Sequence, residues 1–543
     1  MKKIVLMGLL IALLLLVNSL EAQTRKSFKI KSRYLNFPIE ESLERQKVIL
    51  SSEMSEGPAN LISLAHDTVD YWVFRDVSAY IGKTISLLFE RNVKGIERIF
   101  QADTIIGHAS MYNEINRPQL HFTTKRGWIN DPNGLVWQNG KYHLFYQHNP
   151  YETDWQNMHW GHAVSEDLIH WEQLPTAMHP DELGMMFSGS AVIDKKNTAG
   201  FGKDALVIVY TAARDSALQC LAYSIDGGQT INKYEKNPVL DLSPDARWAR
   251  DPKVFWSEAE QHWVIALFQN NSIATYTTKD LKEWKYNGIT SGFHECPELF
   301  ELPVDNNPDN TKWIMYGASG TYMIGEFNGY EFKPETGKYH YAHGDFYAAQ
   351  TYNNEPNHDQ IQMAWANIKH PNMPFRGMML FPQKLSLRTT SQGLRLFCNP
   401  IPEIEKLHVN SFKWDNCNEK ELNNKLKLVD SDLLHIKMDV EITKLHSCSL
   451  SFGGQTIIDF NGNHNKVNGN PYFGSIKNPS RFKAEIIIDK TSAEIYLDGG
   501  KMFISKSINP SDNRSIELSG YRKDVISLNI YSFEIHELIS IWD

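Results

Sequence analysis

Three carboxylic acids between residues 131 and 295 have neighbours that restrict the backbone. Asp131 precedes a proline, Asp251 precedes another proline, and Glu295 precedes a Cys-Pro pair. Two carboxyl groups can act together as an acid and a base when one is ionised and the other holds a proton. The three acids are therefore candidates for a functional site if the fold brings them together. Taken alone, Asp131 also fits a structural Asx-turn.

The segment Trp128–Gly134 places Asp131 between two asparagines and ahead of Pro132 and a glycine. This composition predicts the end of a strand that enters a turn. We place Pro132 outside any strand interior, because proline lacks the N–H that a strand ladder needs. The neighbouring amides would hold the Asp131 carboxylate and keep its pKa low.

Four short motifs follow one another along the chain. They are Trp128–Gly134, Phe187–Ser190, Arg250–Pro252 and Glu295–Pro297. In this order they resemble glycoside hydrolase family 32, which contains invertases, inulinases and levanases. The text between the motifs is also similar to that family, as in Met158–Ala163. Each motif alone is weak, whereas the combination is highly specific.

The resemblance gives each of the three acids a role. It implies that Asp131 is the nucleophile and Glu295 the general acid/base, while Asp251 holds sugar hydroxyls and stabilises the transition state. The sequence agrees with this assignment, since Cys296 and Pro297 would partly desolvate Glu295 and raise its pKa.

Two neighbouring residues leave alternatives open. Glu298 is a second candidate for the general acid, but Glu295 matches the family motif, and Glu298 is expected to make a structural hydrogen bond. Arg250 is either a salt-bridge partner of Asp251 or a group that binds sugar hydroxyls, and the resemblance favours the second role.

The resemblance also implies a set of residues around the fructosyl unit. These residues are Asn130, Gln147, Trp155, Phe187, Ser188, Arg250 and Trp365. Trp365 is the loosest match and is expected to cap the pocket. For each aromatic residue, packing in the core is the alternative.

Two features imitate other kinds of site. His159 and His162 resemble a metal-binding pair, but no third ligand lies nearby in sequence, so packing or hydrogen bonding is expected. Cys296 lies beside a candidate acid without the histidine that would activate a thiol. The five cysteines predict neither a zinc site nor a disulfide framework, although one or two bridges remain open. We predict that no metal or other cofactor takes part.

The composition excludes several classes of partner. The chain has 55 basic and 64 acidic residues, a formal net charge of −9, and no basic patch. It therefore offers no attraction to nucleic acid or to anionic membranes. The expected partner is a fructan or sucrose, as the resemblance implies, and the oligomeric state is not predicted.

The N-terminus predicts export. Lys2 and Lys3 precede an apolar run from Ile4 to Val17, which is too short to span a bilayer. Residues 1–22 are therefore predicted to be a signal peptide that is cleaved after Ala22. The mature protein is expected in the periplasm or outside the cell, without stable insertion in a membrane.

A repeat in the central region indicates the fold. Ser165–Trp171 recurs as Thr278–Trp284, and a degenerate copy begins at Ser224. Intervals of roughly 55 residues correspond to one four-stranded propeller blade, and the family resemblance implies five blades. Equivalent positions on the innermost strands would then converge on one axial funnel.

The predicted fold class is all-β: a five-bladed β-propeller catalytic domain with a C-terminal β-sandwich and a small N-terminal β accessory domain. Residues 28–112 contain short β-prone segments between turn formers, and this accessory domain either binds carbohydrate or buttresses the catalytic domain. The propeller is assigned to residues 118–396. Residues 405–543 resemble the family's C-terminal sandwich and contain a predicted hairpin at 484–500.

The hypothesis for function is a retaining glycoside hydrolase that cleaves β-fructofuranosidic bonds in levan, inulin or sucrose and releases fructose. Two alternatives remain. One is a fructan-binding protein without catalysis, although such a protein would not need three carboxylates. The other is a fructosyltransferase, which shares every catalytic residue because a sugar replaces water as the acceptor.

Overall fold

The computed structural model describes residues 24–52, 56–442, 447–461, 464, 466–472, 480–520 and 528–543. These residues form 41 β-strands, one α-helix and four 3-10 helices. The predicted signal peptide, residues 1–22, lies outside them. Across the ranges given above, no helix is long and apolar enough to cross a membrane. The predicted all-β class is confirmed.

Seven strands near the N-terminus form two small sheets, which we call the N-terminal module. They are β1 (Thr24–Lys29), β2 (Tyr34–Ile39), β3 (Gln46–Ser52), β4 (Glu56–Ile62), β5 (Tyr71–Asp76), β6 (Thr84–Phe89) and β7 (Phe100–Ala102). The strand orders are β1-β6-β3-β4 and β5-β2-β7. Inward side chains such as Leu35, Val48 and Phe89 form one buried cluster. Short 3-10 helices lie at Ser78–Tyr80, Ile96–Arg98 and His108–Ser110.

Five antiparallel blades surround a central axis, and the first three follow one another regularly. The first contains β8 (Gly127–Gln138), β9 (Lys141–Asn149), β10 (His159–Ser165) and β11 (Glu172–Gln173). The second contains β12 (Met185–Asp194), β13 (Ala205–Ala213), β14 (Ala217–Ser224), β15 (Asn232–Lys233) and β16 (Leu240–Asp241). The third contains β17 (Arg250–Ser257), β18 (His262–Gln269), β19 (Ser272–Thr278) and β20 (Lys285–Ser291). In each blade the chain runs outward from the axis.

The last two blades close the ring. The fourth contains β21 (Glu298–Val304), β22 (Asn307–Tyr316), β23 (Thr321–Phe327) and β24 (Phe332–His340), and a short strand, β25 (Ala342–Gly344), follows it. The fifth contains β26 (Tyr347–Thr351), β27 (Ile361–Lys369), β28 (Phe375–Met379), β29 (Gln383–Thr390) and β30 (Gly393–Pro400). Strand β28 runs parallel to β8, with Phe375 opposite Gly127 and Arg376 opposite Trp128. The last blade is thereby tied to the first.

The C-terminal strands form a two-sheet sandwich after a 3-10 helix at Pro402–Leu407. They are β31 (His408–Cys417), β32 (Leu434–Ile442), β33 (Ser447–Phe452), β34 (Gln455–Asn461), β35 (Lys466–Val467), β36 (Asn470–Pro471), β37 (Ser480–Asp489), β38 (Ser492–Leu497), β39 (Met502–Ser507), β40 (Ile516–Gly520) and β41 (Leu528–Leu538). The sheet orders are β25-β39-β38-β37-β32-β41-β31 and β36-β35-β34-β33-β40. The predicted hairpin is present as β37 and β38, and α1 (Glu419–Leu426) begins at a capping box. The limits assigned to the domains stay predictions.

The sequence repeat marks the same point in three blades. Ser165, Ser224 and Thr278 end the third strand of the first, second and third blade. Each is followed two residues later by an aspartate whose carboxylate accepts backbone N–H groups of the next turn, as Asp167 does from Ile169 at 3.0 Å. The repeat is therefore a turn signal that returns the chain to the outermost strand.

Strand β8 contradicts the prediction that Pro132 lies outside a strand interior. The strand continues through Asp131 and Pro132, and Pro132 stands opposite Tyr146 of β9. The register shifts on both sides of this point, between Ile129 and Pro132 and again after Asn133. Because β8 is the innermost strand of its blade, its other edge faces the axis, where a missing N–H costs no ladder hydrogen bond.

A buried histidine joins the propeller to the sandwich. His121 is fully buried, and its ring nitrogens lie 2.7 Å from Asp489 Oδ2 and 2.9 Å from Glu494 Oε1. The Asp489 carboxylate also accepts the backbone N–H groups of Gln119 and Leu120. Burial opposes the charged imidazolium, but the hydrogen bonds to the two carboxylates prevail and raise the pKa of His121 to about 9.

Candidate active site

The innermost strands of the five blades deliver their first residues to one end of the axis. Asp131 lies in β8, Ser188 in β12, Asp251 in β17 and Tyr347 at the start of β26. Glu295 lies three residues before β21. Since each blade starts at its innermost strand, equivalent positions converge although they are far apart in sequence. The structure therefore brings the three predicted acids together.

Asp131 is held by donors from two other blades. Ser188 Oγ donates to Asp131 Oδ2 at 2.6 Å, and Cys296 Sγ lies 3.5 Å from the same oxygen. Asn130 Nδ2 lies 3.1 Å from Asp131 Oδ1, and Trp128 Nε1 orients Asn130 by donating to its Oδ1 at 2.8 Å. Burial raises the pKa of Asp131, and the hydrogen bonds from Ser188 and Asn130 only partly offset it.

Asp251 faces the same thiol from the third blade. Its Oδ2 accepts the backbone N–H of Cys296 at 3.3 Å and lies 3.8 Å from Cys296 Sγ. Its own N–H donates to Thr211 Oγ1 at 3.1 Å, and its φ of 61° bends the strand where it leaves the ladder of β18. Burial and repulsion by the Asp131 carboxylate raise the pKa of Asp251 to about 7.

Glu295 is the most accessible of the three acids. Arg250 donates to Glu295 Oε1 at 2.5 Å, and the Tyr347 hydroxyl donates to Oε2 at 2.5 Å. Its side chain is 25% exposed, and His294 Nδ1 lies 3.5 Å away. Burial raises the pKa of Glu295, but the hydrogen bonds from Tyr347 and Arg250 outweigh burial and the pKa is lowered overall.

The predicted pKa shifts of Asp131 and Glu295 are therefore wrong for the substrate-free protein. Asp131 was expected to have a low pKa because amides surround it in the sequence, but burial and repulsion by the Glu295 carboxylate raise it. Glu295 was expected to have a raised pKa because of Cys296, but a guanidinium and a phenol reach it instead. Arg250 and Tyr347 belong to other blades, so the sequence around Glu295 does not reveal them.

Glu298 is engaged in a buried ion pair. Its carboxylate lies 3.0 Å from Lys253 Nζ and accepts a hydrogen bond from the Thr351 hydroxyl, and all three side chains are buried. Lys253 also donates to the Thr351 carbonyl at 2.8 Å. This arrangement supports the structural role expected for Glu298.

The predicted sugar-contacting residues occupy different depths of the funnel. Trp155 and Phe187 lie at the mouth with ring centroids 5.8 Å apart, and Trp155 is 43% exposed. Trp365, in β27, lies 5.5 Å from the ring of Trp128, and its buried indole nitrogen has no hydrogen-bond partner among the described residues. Gln147 lies one strand further from the axis, in β9, and donates to the Met186 carbonyl at 2.7 Å.

Arg250 forms ion pairs with two of the acids. It donates to Glu295, and its Nε lies 3.8 Å from Asp251 Oδ2. Its guanidinium also stacks 4.7 Å from the ring centre of Phe268. Its side chain is 21% exposed, and its role in binding sugar hydroxyls stays a prediction.

Tyr347 and His294 are site residues that the sequence reasoning missed. Tyr347 donates to Glu295, and His294 Nδ1 lies 3.1 Å from the Tyr347 hydroxyl. Neither belongs to one of the motifs. Tyr347 begins the innermost strand of the fifth blade, and this position would have identified it. To use that signal, the limits of the fifth blade must first be known from the sequence.

The thiols and histidines have structural surroundings. Burial and the nearby acids raise the pKa of Cys296 well above its usual value, so it is not a thiolate nucleophile. All five cysteines are free. His162 Nε2 lies 3.0 Å from His143 Nδ1, and the ring of His159 meets the Asn157 carbonyl. No group of His, Cys, Asp and Glu within the described ranges has the arrangement of a metal site.

A five-bladed propeller that gathers three acids at the start of its innermost strands defines a glycoside hydrolase. Residues 121–400 match the family model for the glycosyl hydrolases family 32 N-terminal domain. A levanase from Bacillus subtilis is 36% identical over 501 residues, which cover 82% of this chain and 73% of the relative. An extracellular exo-inulinase from Aspergillus niger is 30% identical, with 82% of this chain and 100% of the relative covered.

Solved structures give the same result. Exo-inulinase from Aspergillus awamori superposes with a TM-score of 0.68 at 26% identity, covering 79% of this chain and 100% of that chain. Fructofuranosidase from Schwanniomyces occidentalis, complexed with fructose, has a TM-score of 0.68 at 27% identity, covering 79% of this chain and 99% of that chain. The chain belongs to glycoside hydrolase family 32, and the predicted family, fold class and enzyme class are confirmed.

Proposed function

We propose that this enzyme hydrolyses β-fructofuranosidic bonds in fructans and sucrose, acting from chain ends and retaining the configuration at C2. The observation that carries the proposal is the convergence of Asp131, Asp251 and Glu295 from three blades at the mouth of one funnel. The names of the relatives, a levanase, an exo-inulinase and invertases, support this substrate class.

In the first step, an Asp131 oxygen attacks C2 of the fructosyl unit while the bond from C2 to the leaving oxygen breaks. Glu295 gives its proton to that oxygen. Water then attacks C2 and loses a proton to Glu295, and the bond between Asp131 and C2 breaks. Asp251 accepts hydrogen bonds from sugar hydroxyls and stabilises the positive charge that develops at C2.

The substrate-free site must redistribute its protons before this reaction. Glu295 is held in the ionised form by Arg250 and Tyr347, whereas Asp251 has a pKa of about 7. Sugar hydroxyls that bind Arg250 would release Glu295 from its cation, and exclusion of water would raise the pKa of this acid further. Substrate binding would thus convert Glu295 into the proton donor.

We also propose that the enzyme is exported and acts as a soluble periplasmic or secreted protein. The support is the predicted signal peptide at residues 1–22 and the extracellular inulinases among the relatives. Sequencing the N-terminus of the mature protein tests this proposal, and a mature chain that begins close to residue 23 is expected.

The test of the activity is product analysis on levan, inulin and sucrose. Steady release of fructose alone is expected, and both Asp131→Ala and Glu295→Ala should abolish turnover while the far-ultraviolet circular dichroism spectrum stays that of the wild type. Near-wild-type activity in either variant would contradict the assigned roles.

Other product patterns would identify the alternatives. A ladder of oligosaccharides would indicate endo cleavage or transfer to a sugar acceptor. Binding of levan without release of any sugar would indicate a fructan-binding protein. The configuration of the fructose first released, followed by nuclear magnetic resonance, tests retention at C2.

A further inference from the structure

The loop between β9 and β10 carries Trp155 to the mouth of the funnel. It spans residues 150–158 and connects these two strands of the first blade. Trp155 is 43% exposed, and its ring lies beside Phe187, which precedes the Ser188 that binds Asp131. A half-exposed indole at this position offers an apolar face to a sugar ring.

This loop is bound by the N-terminal module as well as by the propeller, where Asn149 Nδ2 donates to the Asp154 carbonyl at 2.9 Å. Glu152 is 3% exposed, accepts the backbone N–H of Ser63 at 2.6 Å and forms an ion pair with Arg45. Arg45 also donates to Asp154 Oδ2 at 3.0 Å. The Arg45 guanidinium therefore joins the two carboxylates that precede Trp155, and Arg376 of the propeller lies 3.7 Å from Asp154 Oδ1 on the other side.

The two ends of the loop are bound to the same module. Tyr151 is buried in the core of the module, with its ring 6.2 Å from that of Phe37. Asn157 pairs with Leu61 through both side-chain atoms, accepting its N–H and donating to its carbonyl at 2.8 Å each. The loop thus behaves as an extra segment of the N-terminal module that reaches over to the active site.

We propose that the N-terminal module is part of the substrate-binding site, in which Arg45 is a positioning residue that holds Trp155 against the substrate. This inference rests on the proposed function. The contacts of the module described above are with the loop and not with the three catalytic acids, so it acts through the position of one indole. The expected ligand is the fructosyl chain itself, whose ring faces stack on Trp155.

The test compares Arg45→Met with Lys47→Met in the full-length chain. Arg45 directly precedes β3 and Lys47 lies in it, both are partly exposed, and Lys47 pairs with Glu90 inside the module. Arg45→Met should raise KM for levan oligosaccharides about fivefold to tenfold with kcat within about twofold of wild type, because it removes binding shared by ground and transition states. Lys47→Met should leave both constants unchanged.

A double-mutant cycle identifies the route of the effect. Trp155→Ala should raise KM on its own, and Arg45→Met should add nothing in the Trp155→Ala background, because coupled residues are not additive. Arg45→Lys should restore part of the affinity, since it keeps the charge but reaches one carboxylate at a time. It also serves as the test variant if Arg45→Met does not fold.

Two results would overturn the inference. One is an Arg45→Met enzyme with the same KM as Lys47→Met, and the other is an equal rise in KM with and without Trp155. In both cases the wild-type enzyme still releases fructose, so the proposed function stands. A wild-type protein that neither cleaves nor binds levan oligosaccharides would overturn both proposals.

Discussion

Asp131 and Asp251 approach one thiol from two blades, at 3.5 and 3.8 Å from Cys296 Sγ. Two buried carboxylates at such a site repel each other, so one proton is retained close to neutral pH. The raised pKa of Asp251, about 7, reflects this repulsion together with burial. Sugar hydroxyls that enter the site can donate hydrogen bonds to these oxygens, which favours the ionised carboxylates and release of the retained proton to solvent.

The raised pKa of Asp251 makes stability depend on pH. The folded protein keeps a proton on Asp251 up to about pH 7, whereas the unfolded chain loses it near pH 4. Between these values the folded state binds more protons, so its stability falls as pH rises. Asp251→Asn should therefore melt about 2 °C or more above wild type at pH 8 and approach it at pH 4.

Thermal melting between pH 4 and 8 checks this prediction. The matched control is Glu235→Gln, because Glu235 is an exposed carboxylate outside the funnel. A variant Asp251→Asn that is less stable than wild type at every pH would show that the carboxylate stabilises the fold. Its loss of activity is expected in either case.

At the residue scale, the sequence predicts which acids matter and not how they are charged. The motifs around Asp131, Asp251 and Glu295 are local, so one strand start is enough to find each of them. Their pKa shifts arise from partners such as Arg250 and Tyr347, which only the assembled ring brings near Glu295. This is why the predicted directions were wrong.

At the scale of elements, β8 shows that the rule against proline in a strand depends on whether both edges of the strand are paired. Pro132 argues against a strand only where both edges are paired, and the axial edge of β8 is not paired at that point. The repeats at Ser165 and Thr278 were predictive because a turn uses neighbouring residues, here a hydroxyl and an aspartate. The number of blades came from the family resemblance.

The segment that precedes β8 is pinned to the hairpin of β37 and β38 by His121. Its pKa of about 9 lies above its usual value, so the ion pairs contribute fully below about pH 6.5 and are lost as pH rises through 9. His121→Gln leaves Asp489 and Glu494 buried without their cation and should cost about 3–5 kcal/mol of unfolding free energy at pH 6.

Urea unfolding at pH 6 and pH 9.5 measures this cost. The gap between wild type and His121→Gln should narrow at the higher pH, where wild type loses the imidazolium as well. The exposed His108→Gln serves as the control and should unfold like wild type at both values. A gap that does not change with pH would mean that His121 contributes by packing alone.

At the scale of the whole molecule, the propeller and the sandwich share one apolar core. Leu144 and Tyr146 of the propeller belong to the same buried cluster as Ile487, Tyr496 and Phe503 of the sandwich. Neither unit can unfold without exposing the surface of the other. We therefore predict that propeller and sandwich unfold in a single calorimetric transition.

Differential scanning calorimetry of the full-length protein checks this prediction. His121→Gln should move the shared transition as one unit to lower temperature. Separate transitions for propeller and sandwich would contradict it. The N-terminal module has its own core, which Tyr151 joins from the propeller, so an earlier transition of this module is compatible with the prediction.

The parallel pairing of β28 with β8 has a consequence for biosynthesis. Gly127 and Trp128 lie just before Asp131, and their partners Phe375 and Arg376 are translated only after all five innermost strands. Tyr347, which orders Glu295, is also a late residue. A nascent chain thus carries its acids without a working arrangement of them, and hydrolytic activity begins only when the circle is complete.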